Sequence, residues 1–468
     1  MLFNSLQFIL FLGLTLVGYR LVERWRTPRH LLLLSASYLF YASWNPRYLV
    51  LILASTLLDY NVGRALARTE DQRARKALLW TSIVGNLSLL GVFKYGNFVL
   101  ENLEAALGLP MPRVPAELPV GISFYTFQTL SYTIDRYRKT IDPARNLLEF
   151  ALFVAFFPQL VAGPIIRALD FMPQLGVKTI FQRTDVRAAL VLFSVGFFKK
   201  ACVSDGIAQI PDEYFADPAA YGALAAWIGT LFYAVQIYCD FSGYTDMAIA
   251  CAALLGYELC VNFRFPYLAR DITDFWRRWH ISLSSWLRDY LYIPLGGNRG
   301  SSLFQGRNLI LTMLLGGLWH GAGWNFILWG ALHGAALVLH KLWSHALPEN
   351  SLPRRVSGFL GPVLTFSFVC LCWIFFRATD FESARTAALA FVGLGAAGLP
   401  GLESVQPALA FALLGGLALA HWVASRHWTE ALWRGLPSWG FTLALAALWA
   451  LALPFVPLES KPFIYFQF

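Results

Sequence analysis

The 468-residue sequence is apolar and basic, with 57% hydrophobic residues, 14% charged residues and a formal net charge of +9. A soluble domain has roughly 25% charged residues, so this composition excludes a string of ordinary soluble domains. The positive charge is better explained by cytoplasmic loops and anionic lipid headgroups than by nucleic acid.

Uncharged segments of about the length needed to cross a bilayer recur along the chain. They occupy residues 1–19, 30–46, 118–134, 150–166, 218–239, 308–340, 356–376, 404–425 and 435–458, with shorter runs at 77–93, 188–198 and 386–402. No basic region precedes the first run, which therefore reads as a retained helix and not as a signal peptide. We predict an all-α, polytopic integral membrane protein with about 11–13 membrane helices, forming a single domain over residues 1–468.

The six cysteines lie within or beside apolar segments, and none forms a C-x-x-C pair. We interpret them as small apolar side chains in helix interiors. Other metal-binding patterns, such as H-x-H or H-E-x-x-H, are also missing from the sequence, so we predict no metal site.

Residues 262–307 are the most informative region outside the apolar runs. Helical spacing places six residues on one stripe: Trp276, Trp279, Leu283, Trp286, Tyr290 and Ile293. Arginines occupy the remaining surface, and Asp271 or Thr273 is expected to cap the helix. The pattern predicts an amphipathic helix that lies in the membrane interface or packs sideways between spanning helices. His280 falls between its two faces, as either an interfacial polar residue or one that points into a cavity.

The segment "QIYCDFSGYTDMAIA" (236–250) places ionisable groups inside an apolar run. Such groups are costly in a membrane and face protein or water. Asp240 and Asp246 are about 120° apart on a straight helix, so they do not form a pair unless Gly243 breaks the helix. Two interpretations stay open: these residues satisfy one another and the arginines of the 262–307 region, or they line a polar cavity that binds substrate.

The uncharged run 308–340 contains His320, Asn325 and His333. A continuous helix would separate the two histidines by about 20 Å. They can share a site only if "GAGWN" (321–325) breaks the helix. His320 lies between Trp319 and Gly321, where a ligand can approach closely, and is the stronger functional candidate.

A solitary imidazole in a dry, aromatic setting is suited to act as a general base. It would take the proton from a hydroxyl that attacks an acyl carbonyl. Burial would keep the imidazole neutral and able to accept that proton. Residue spacing alone leaves this as one option among several.

Five long motifs resemble the membrane-bound O-acyltransferase family, most closely its bacterial branch for acetylation of alginate and related polysaccharides. They are "LPVGISFYTFQTLSYTIDRYR", "FFPQLVAGPIIR", "QIYCDFSGYTDMAIA", "ITDFWRRWHISLSSWLRDYLYIPLGGNR" and "NLILTMLLGGLWHGAGWNFILWGALHG". The beginning "MLFNSLQFILFL" and the ending "KPFIYFQF" also fit this branch.

The resemblance implies helices around a central funnel or pore, with residues 308–340 as the catalytic-histidine segment. It implies His320 as the catalytic histidine and His280 as a second polar residue of the site. We expect Trp279, Trp319, Asn325, Asp240 and Asp246 to bind substrate. His333 matches a recurring position to which the resemblance assigns no role.

The resemblance further implies acetyl-CoA or another cytoplasmic acetyl carrier as the acyl donor, no bound cofactor, and a location in the bacterial inner membrane. The acetyl group would reach an exported polysaccharide through a separate periplasmic partner of the SGNH-esterase type, because the sequence shows no soluble domain that would do this. Two alternatives remain: action on peptidoglycan, another envelope polymer or a lipid, and, from a different class, a polysaccharide transporter. No matching pair of broken helices favours the transporter.

Overall fold

The computed structural model describes residues 1–114, 117–161, 163–177, 185–347, 352–395, 399–426, 430, 433–456 and 463–464. The regular secondary structure of this part of the chain is helical, without β-strands, which confirms the predicted all-α class. Of the ending "KPFIYFQF", only Phe463 and Ile464 lie within the described residues.

The first half of the chain forms short and medium helices. They are α1 (Leu6–Val22), α2 (Arg26–Ala42), α3 (Leu49–Arg68), α4 (Gln72–Leu90), α5 (Gly96–Leu107), α6 (Ile122–Tyr137), α7 (Leu147–Ala155), α8 (Phe157–Leu160), α9 (Ala168–Leu175), α10 (Val186–Phe197), α11 (Asp205–Ile207) and α12 (Gln209–Ala216). The second half contains α13 (Ala223–Leu254), α14 (Ile272–Arg278), α15 (Ile281–Leu287), α16 (Ser302–His320), α17 (Trp324–Ala346), α18 (Leu352–Arg377), α19 (Phe381–Phe391), α20 (Pro407–Ala424) and α21 (Ser438–Ala452).

Seven helices in the described residues are long and apolar enough to cross a membrane. They cover Pro46–Arg68, Gln72–Leu107, Ala223–Leu254, Trp324–Ala346, Gly358–Arg377, Pro407–Ala424 and Ser438–Phe455. The expected number is larger because several apolar runs fold into short helices. The run 150–166, for example, gives the nine-residue α7 and the four-residue α8. The chain is a multi-pass membrane protein.

The chain divides into two compact units. The first contains residues 1–193 and 244–261, and the second contains residues 194–243 and 262–468. In the first unit, α6 is buried along almost its whole length. In the second unit, an apolar and aromatic core includes Trp279, Trp329 and Trp373.

The long helix α13 runs without interruption through Gly243, so the break considered there is absent. Gly243 instead permits a close approach of backbones. A Cβ atom at this position would lie 2.6 Å from the carbonyl oxygen of Gly196 and 3.0 Å from the amide nitrogen of Lys200. The glycine is required by packing and not by a bend.

The predicted continuous amphipathic helix in residues 262–307 is wrong. Two seven-residue helices, α14 and α15, are separated at Trp279 and His280. Asp271 caps α14 through a hydrogen bond from the Asp274 amide, as expected. The aromatic stripe is buried at Trp279 and Trp286, whereas Ile293 is exposed. Neither helix is long enough to span a bilayer.

Candidate active site

The hairpin of α16 and α17 brings two sequence-distant histidines into one cluster. Helix α16 ends at His320, the backbone is extended at Gly321 and Gly323, and α17 begins at Trp324. The helix break considered at 321–325 is therefore present. The ring of Trp329 lies 5.0 Å from the ring of His320 and 4.6 Å from the ring of His333, measured between centroids.

Glycines allow the two helices of this hairpin to pack closely. A Cβ atom at Gly317 would collide with the backbone carbonyl of Phe326, and one at Gly330 would collide with that of Met313. Small residues at such an interface let backbones approach, which is a common way to hold membrane helices together. The position of His320 relative to α17 therefore depends on glycine at both positions.

His320 is buried against the edges and faces of three aromatic rings. Trp319, Trp329 and Phe376 lie with their ring centroids 5.0, 5.0 and 5.2 Å from the imidazole, at interplanar angles of 76°, 81° and 71°. The side chain is 3% exposed. Edge-to-face contacts of this kind fix the orientation of the ring in an apolar setting.

His280 adopts a backbone conformation that normally favours glycine. Its φ is 41° and its ψ is 55°, at the junction of α14 and α15. A left-handed conformation costs roughly 1–2 kcal/mol for a residue with a Cβ atom. Strain of this type often persists at functional sites because the surroundings require it.

A single amide oxygen fixes the tautomer of His280. The Asn262 Oδ1 atom lies 3.2 Å from His280 Nδ1 and accepts hydrogen bonds from the amide and hydroxyl of Ser282, at 3.1 and 2.9 Å. Because this oxygen acts as an acceptor, Nδ1 carries the proton and donates it. The lone pair then lies on Nε2, which is buried and has no hydrogen-bond partner among the described residues. The ring is thus prepared to accept a proton or a hydrogen bond.

Burial also determines the charge of this imidazole. Desolvation lowers the pKa of His280 from 6.5 to about 3. The side chain is therefore neutral over the physiological pH range, and its Nε2 lone pair is available.

His280 and His320 are connected by the Trp319 ring. The centroid of Trp319 lies 5.9 Å from His280 and 5.0 Å from His320. The His280 ring also forms a T-shaped contact with the Phe241 ring, at a centroid distance of 4.6 Å. The two candidate catalytic histidines expected from the sequence thus belong to one continuous cluster of rings in the second unit.

His333 belongs to the same cluster and is fully buried. Its ring is surrounded by Phe275, Trp276, Trp329 and Phe368, at centroid distances of 6.1, 5.1, 4.6 and 5.7 Å. Neither of its nitrogens has a hydrogen-bond partner in the part of the chain that the structure describes. A buried polar group in this condition costs about 1–3 kcal/mol, so a bound polar molecule or water is expected to compensate it.

Trp279 and Asn325 lie around this cluster in different roles. Trp279 is buried between Phe275, Phe263 and Trp373, at centroid distances of 5.7, 5.0 and 4.9 Å. The Asn325 amide donates a hydrogen bond of 3.1 Å to the carbonyl of Ala378, which joins the start of α17 to the end of α18. The Asn325 Oδ1 atom has no partner among the described residues.

The two aspartates expected to bind substrate, Asp240 and Asp246, belong to different units. Asp240 is buried in the second unit, where its carboxylate forms a 2.6 Å ion pair with Lys200. Asp246 is half-buried and belongs to the first unit. The idea that arginines of the 262–307 region neutralise Asp240 is wrong, because a lysine of the π-helical turn Phe198–Ser204 does so.

Sequence reasoning missed Asn262, Trp329 and Phe376. Asn262 lies in an irregular segment without periodicity, so no pattern indicated its contact with His280. Trp329 and Phe376 look like ordinary apolar helix residues in the sequence. In the described residues, no group of three or more His, Cys, Asp or Glu side chains is arranged to hold a metal ion.

Known proteins match this chain over most of its length. The family model described as MBOAT, membrane-bound O-acyltransferase family, matches residues 38–381. A peptidoglycan O-acetyltransferase of Helicobacter pylori is 39% identical over 85% of this chain and 81% of its own. A probable alginate O-acetylase, AlgI, of Pseudomonas aeruginosa is 45% identical over 82% of this chain and 73% of its own.

A more distant relative has a different acyl group in its name. The teichoic acid D-alanyltransferase of Streptococcus thermophilus is 29% identical over 55% of this chain and 68% of its own. The common element among these relatives is acyl transfer, and the family match covers the histidine cluster. The chain belongs to the membrane-bound O-acyltransferase family and is a multi-pass membrane acyltransferase.

Proposed function

We propose that this enzyme transfers an acetyl group from a cytoplasmic thioester to a hydroxyl group, with His320 as the general base. The observation that carries the proposal is the contact of two buried imidazoles, His320 and His280, with the same Trp319 ring. Buried, oriented imidazoles in an aromatic wall are the groups that such a proton transfer requires.

In this transfer, the hydroxyl proton moves to His320, a carbon–oxygen bond forms and the carbon–sulfur bond of the thioester breaks. His320 accepts the hydroxyl proton while the oxygen attacks the thioester carbonyl carbon. The carbon–sulfur bond then breaks, and the imidazolium returns the proton to the departing thiolate. The products are the acetyl ester and a free thiol, and His320 is neutral again. General-base catalysis of this type contributes typically 10²–10⁴-fold.

His280 is assigned to orient the attacking hydroxyl. Its Nδ1–H is held by Asn262, so the Nε2 lone pair has a defined direction. A neighbouring hydroxyl group of the acceptor would donate a hydrogen bond to this lone pair, which places the attacking oxygen beside His320 and satisfies a buried acceptor. Trp319, Trp279 and Asn325 are proposed to line the substrate path.

The donor proposed is acetyl-CoA, and the acceptor is an exported polysaccharide such as alginate. An acetyl group that starts in the cytoplasm then has to cross the inner membrane, and a periplasmic partner of the SGNH-esterase type would complete the transfer. The relative named as a probable alginate O-acetylase supports this assignment. The relative named as a peptidoglycan O-acetyltransferase supports peptidoglycan as the second candidate acceptor.

The test separates acyl transfer from export. Cells carrying His320→Ala are expected to export polymer in normal amounts with its acetyl content reduced to background. His345→Ala, an exposed histidine at the end of α17, is the matched control and is expected to retain acetylation. Loss of exported polymer in the His320→Ala cells would favour the transporter, and unchanged acetylation would refute the proposed role of His320.

A further inference from the structure

A buried ion cluster in the second unit consists of Lys200, Asp205 and Asp240. In α13, Asp240 directly precedes Phe241, whose ring contacts His280. Lys200 Nζ lies 2.8 Å from Asp205 Oδ1 and 2.6 Å from Asp240 Oδ1. The three side chains are at most 3% exposed. Buried carboxylates of this kind are stabilised only when additional hydrogen bonds satisfy their remaining oxygen lone pairs.

The additional donor comes from a very distant part of the chain. The backbone N–H of Ile464 donates a 2.8 Å hydrogen bond to Asp240 Oδ2, across 224 positions. Charge-assisted hydrogen bonds to a buried carboxylate are among the stronger ones in proteins. The ion cluster therefore holds the Phe463–Ile464 segment in place.

The same segment supports His280 through one intervening ring. Phe463 is fully buried, and its ring lies 5.4 Å from that of Phe241 in a T-shaped contact. Phe241 follows Asp240 in the sequence. Its ring forms a T-shaped contact with the His280 imidazole, at a centroid distance of 4.6 Å. The series Phe463, Phe241 and His280 is thus a continuous packed path that begins at the anchored segment.

We propose that the Phe463–Ile464 segment is a positioning element of the active site, anchored by Asp240 and Lys200 and acting on His280 through Phe241. The inference rests on the proposed function, because it gives His280 a role in the reaction. It also gives the buried Asp240 of α13 a part in positioning this site. A displacement of about 1 Å at a reacting group can cost about 10²-fold in rate, so packing behind His280 matters.

The experiment uses the full-length protein in proteoliposomes and two pairs of variants. Ile464→Pro removes the N–H donor, and Ile464→Val keeps it. Phe463→Ala removes the ring behind Phe241, and Phe455→Ala removes an exposed phenylalanine (69% exposed) as the control. Two quantities are measured: kcat with KM for the acyl donor, and labelling of His280 by diethyl pyrocarbonate, followed by mass spectrometry. The exposed His345 reports reagent access in each sample.

Ile464→Pro and Phe463→Ala are expected to lower kcat by about 10- to 100-fold with an unchanged donor KM. Labelling of His280 should rise several-fold, while labelling of His345 stays constant. Ile464→Val and Phe455→Ala should match the wild type. Labelling does not depend on catalysis, so it tests the packing even if the wild type fails to transfer acetyl groups.

Two results would overturn the inference. Unchanged labelling of His280 in both disruptive variants would show that the segment does not support the imidazole. Increased labelling with an unchanged kcat would show that the support is irrelevant to the reaction. If Ile464→Pro does not fold, Phe463→Ala decides between these outcomes by itself.

Discussion

Two buried polar regions of this molecule differ in whether their polar groups have hydrogen-bond partners in the protein. In the first unit, the Asp59 carboxylate accepts hydrogen bonds from Ser82, from Asn86 at 2.7 Å and from Thr133 at 3.0 Å. Asn86 is itself satisfied, because its Oδ1 accepts a hydrogen bond of 2.6 Å from Ser55. Each polar group of this network has a protein partner.

The histidine cluster of the second unit is arranged differently. His333 has two nitrogens without partners among the described residues, and His280 has one. The indole N–H groups of Trp276 and Trp329 share this condition. Aromatic rings surround these atoms and provide no conventional acceptors.

This difference in pairing distinguishes a region that stabilises the fold from a region that can bind a ligand. A fully paired network stabilises helix packing and has no capacity left for a ligand. A cluster of unpaired donors and acceptors is unfavourable in the empty protein and favourable once a polar molecule binds. The paired network around Asp59 is therefore assigned to packing, whereas the unpaired atoms of the histidine cluster are available to a polar ligand.

The largest expected effect is a loss of kcat on substitution in the histidine cluster that is absent on substitution in the Asp59 network. His320→Gln should lower kcat by about 10²–10⁴-fold, because the general base is lost while a side chain of similar size remains. Asp59→Asn should leave kcat per folded molecule within about twofold and reduce stability by about 1–3 kcal/mol, since its amide meets donors. Acetyl transfer from labelled acetyl-CoA and thermal unfolding measure the two effects. A comparable loss of kcat in Asp59→Asn would show that the two regions do not differ in their role in the reaction.

The second prediction concerns the orientation of His280. Asn262→Leu removes the acceptor for Nδ1–H and should reduce kcat by about 10- to 100-fold, because a small misplacement of a group at the reacting centre can cost about 10²-fold in rate. Asn262→Asp keeps an acceptor and should recover most of this loss. Equal activity of the two variants would show that the tautomer of His280 is unimportant.

The third prediction concerns the hairpin that holds the cluster together. Gly330→Ala places a methyl group against the Met313 carbonyl and should lower the free energy of unfolding by about 1–3 kcal/mol. Gly415→Ala in α20 is the control, because nothing lies within 4 Å of its Cβ position. Denaturant titration in detergent measures both. Equal stability of the two variants would mean that α16 and α17 do not pack as described.

The last prediction concerns the dependence of stability on pH. Burial lowers the pKa of His280 to about 3, so below pH 6.5 the unfolded chain takes up a proton that the folded chain does not. Stability should then fall by about 1.4 kcal/mol for each pH unit below 6.5, until the folded pKa is reached. His280→Gln removes this contribution and should give a flatter curve in unfolding measurements between pH 7 and pH 5. Parallel curves would show that His280 is not buried.

The sequence predicted features that depend on local chemistry. The segment "GAGWN" (321–325) was recognisable as a possible break, and the structure has this break, which joins His320 and His333 through Trp329. Long uncharged runs indicated membrane helices, although several of those runs form shorter helices than expected. The sequence offered Asp271 or Thr273 as the helix cap, and the structure shows that Asp271 is the cap.

Features that depend on tertiary contacts could not be predicted. The stripe of residues 276–293 has helical spacing, but Asn262 and the packing around His280 stabilise a left-handed residue in its middle. The partners of Asp240 lie at positions 200 and 464, and no periodic pattern connects them. A single sequence shows which polar residues are unusual, but not which of them are paired.

The most direct measurement of the central claim is a double-mutant cycle on the two histidines. Single-turnover acetyl transfer is recorded for the wild type, His320→Gln, His280→Gln and the double variant. Residues that act as one unit show strongly non-additive losses. The account predicts that the double variant is no more than about tenfold slower than His320→Gln alone. Losses that multiply in the double variant would contradict a shared site, and full activity of His320→Gln would exclude the proposed general base.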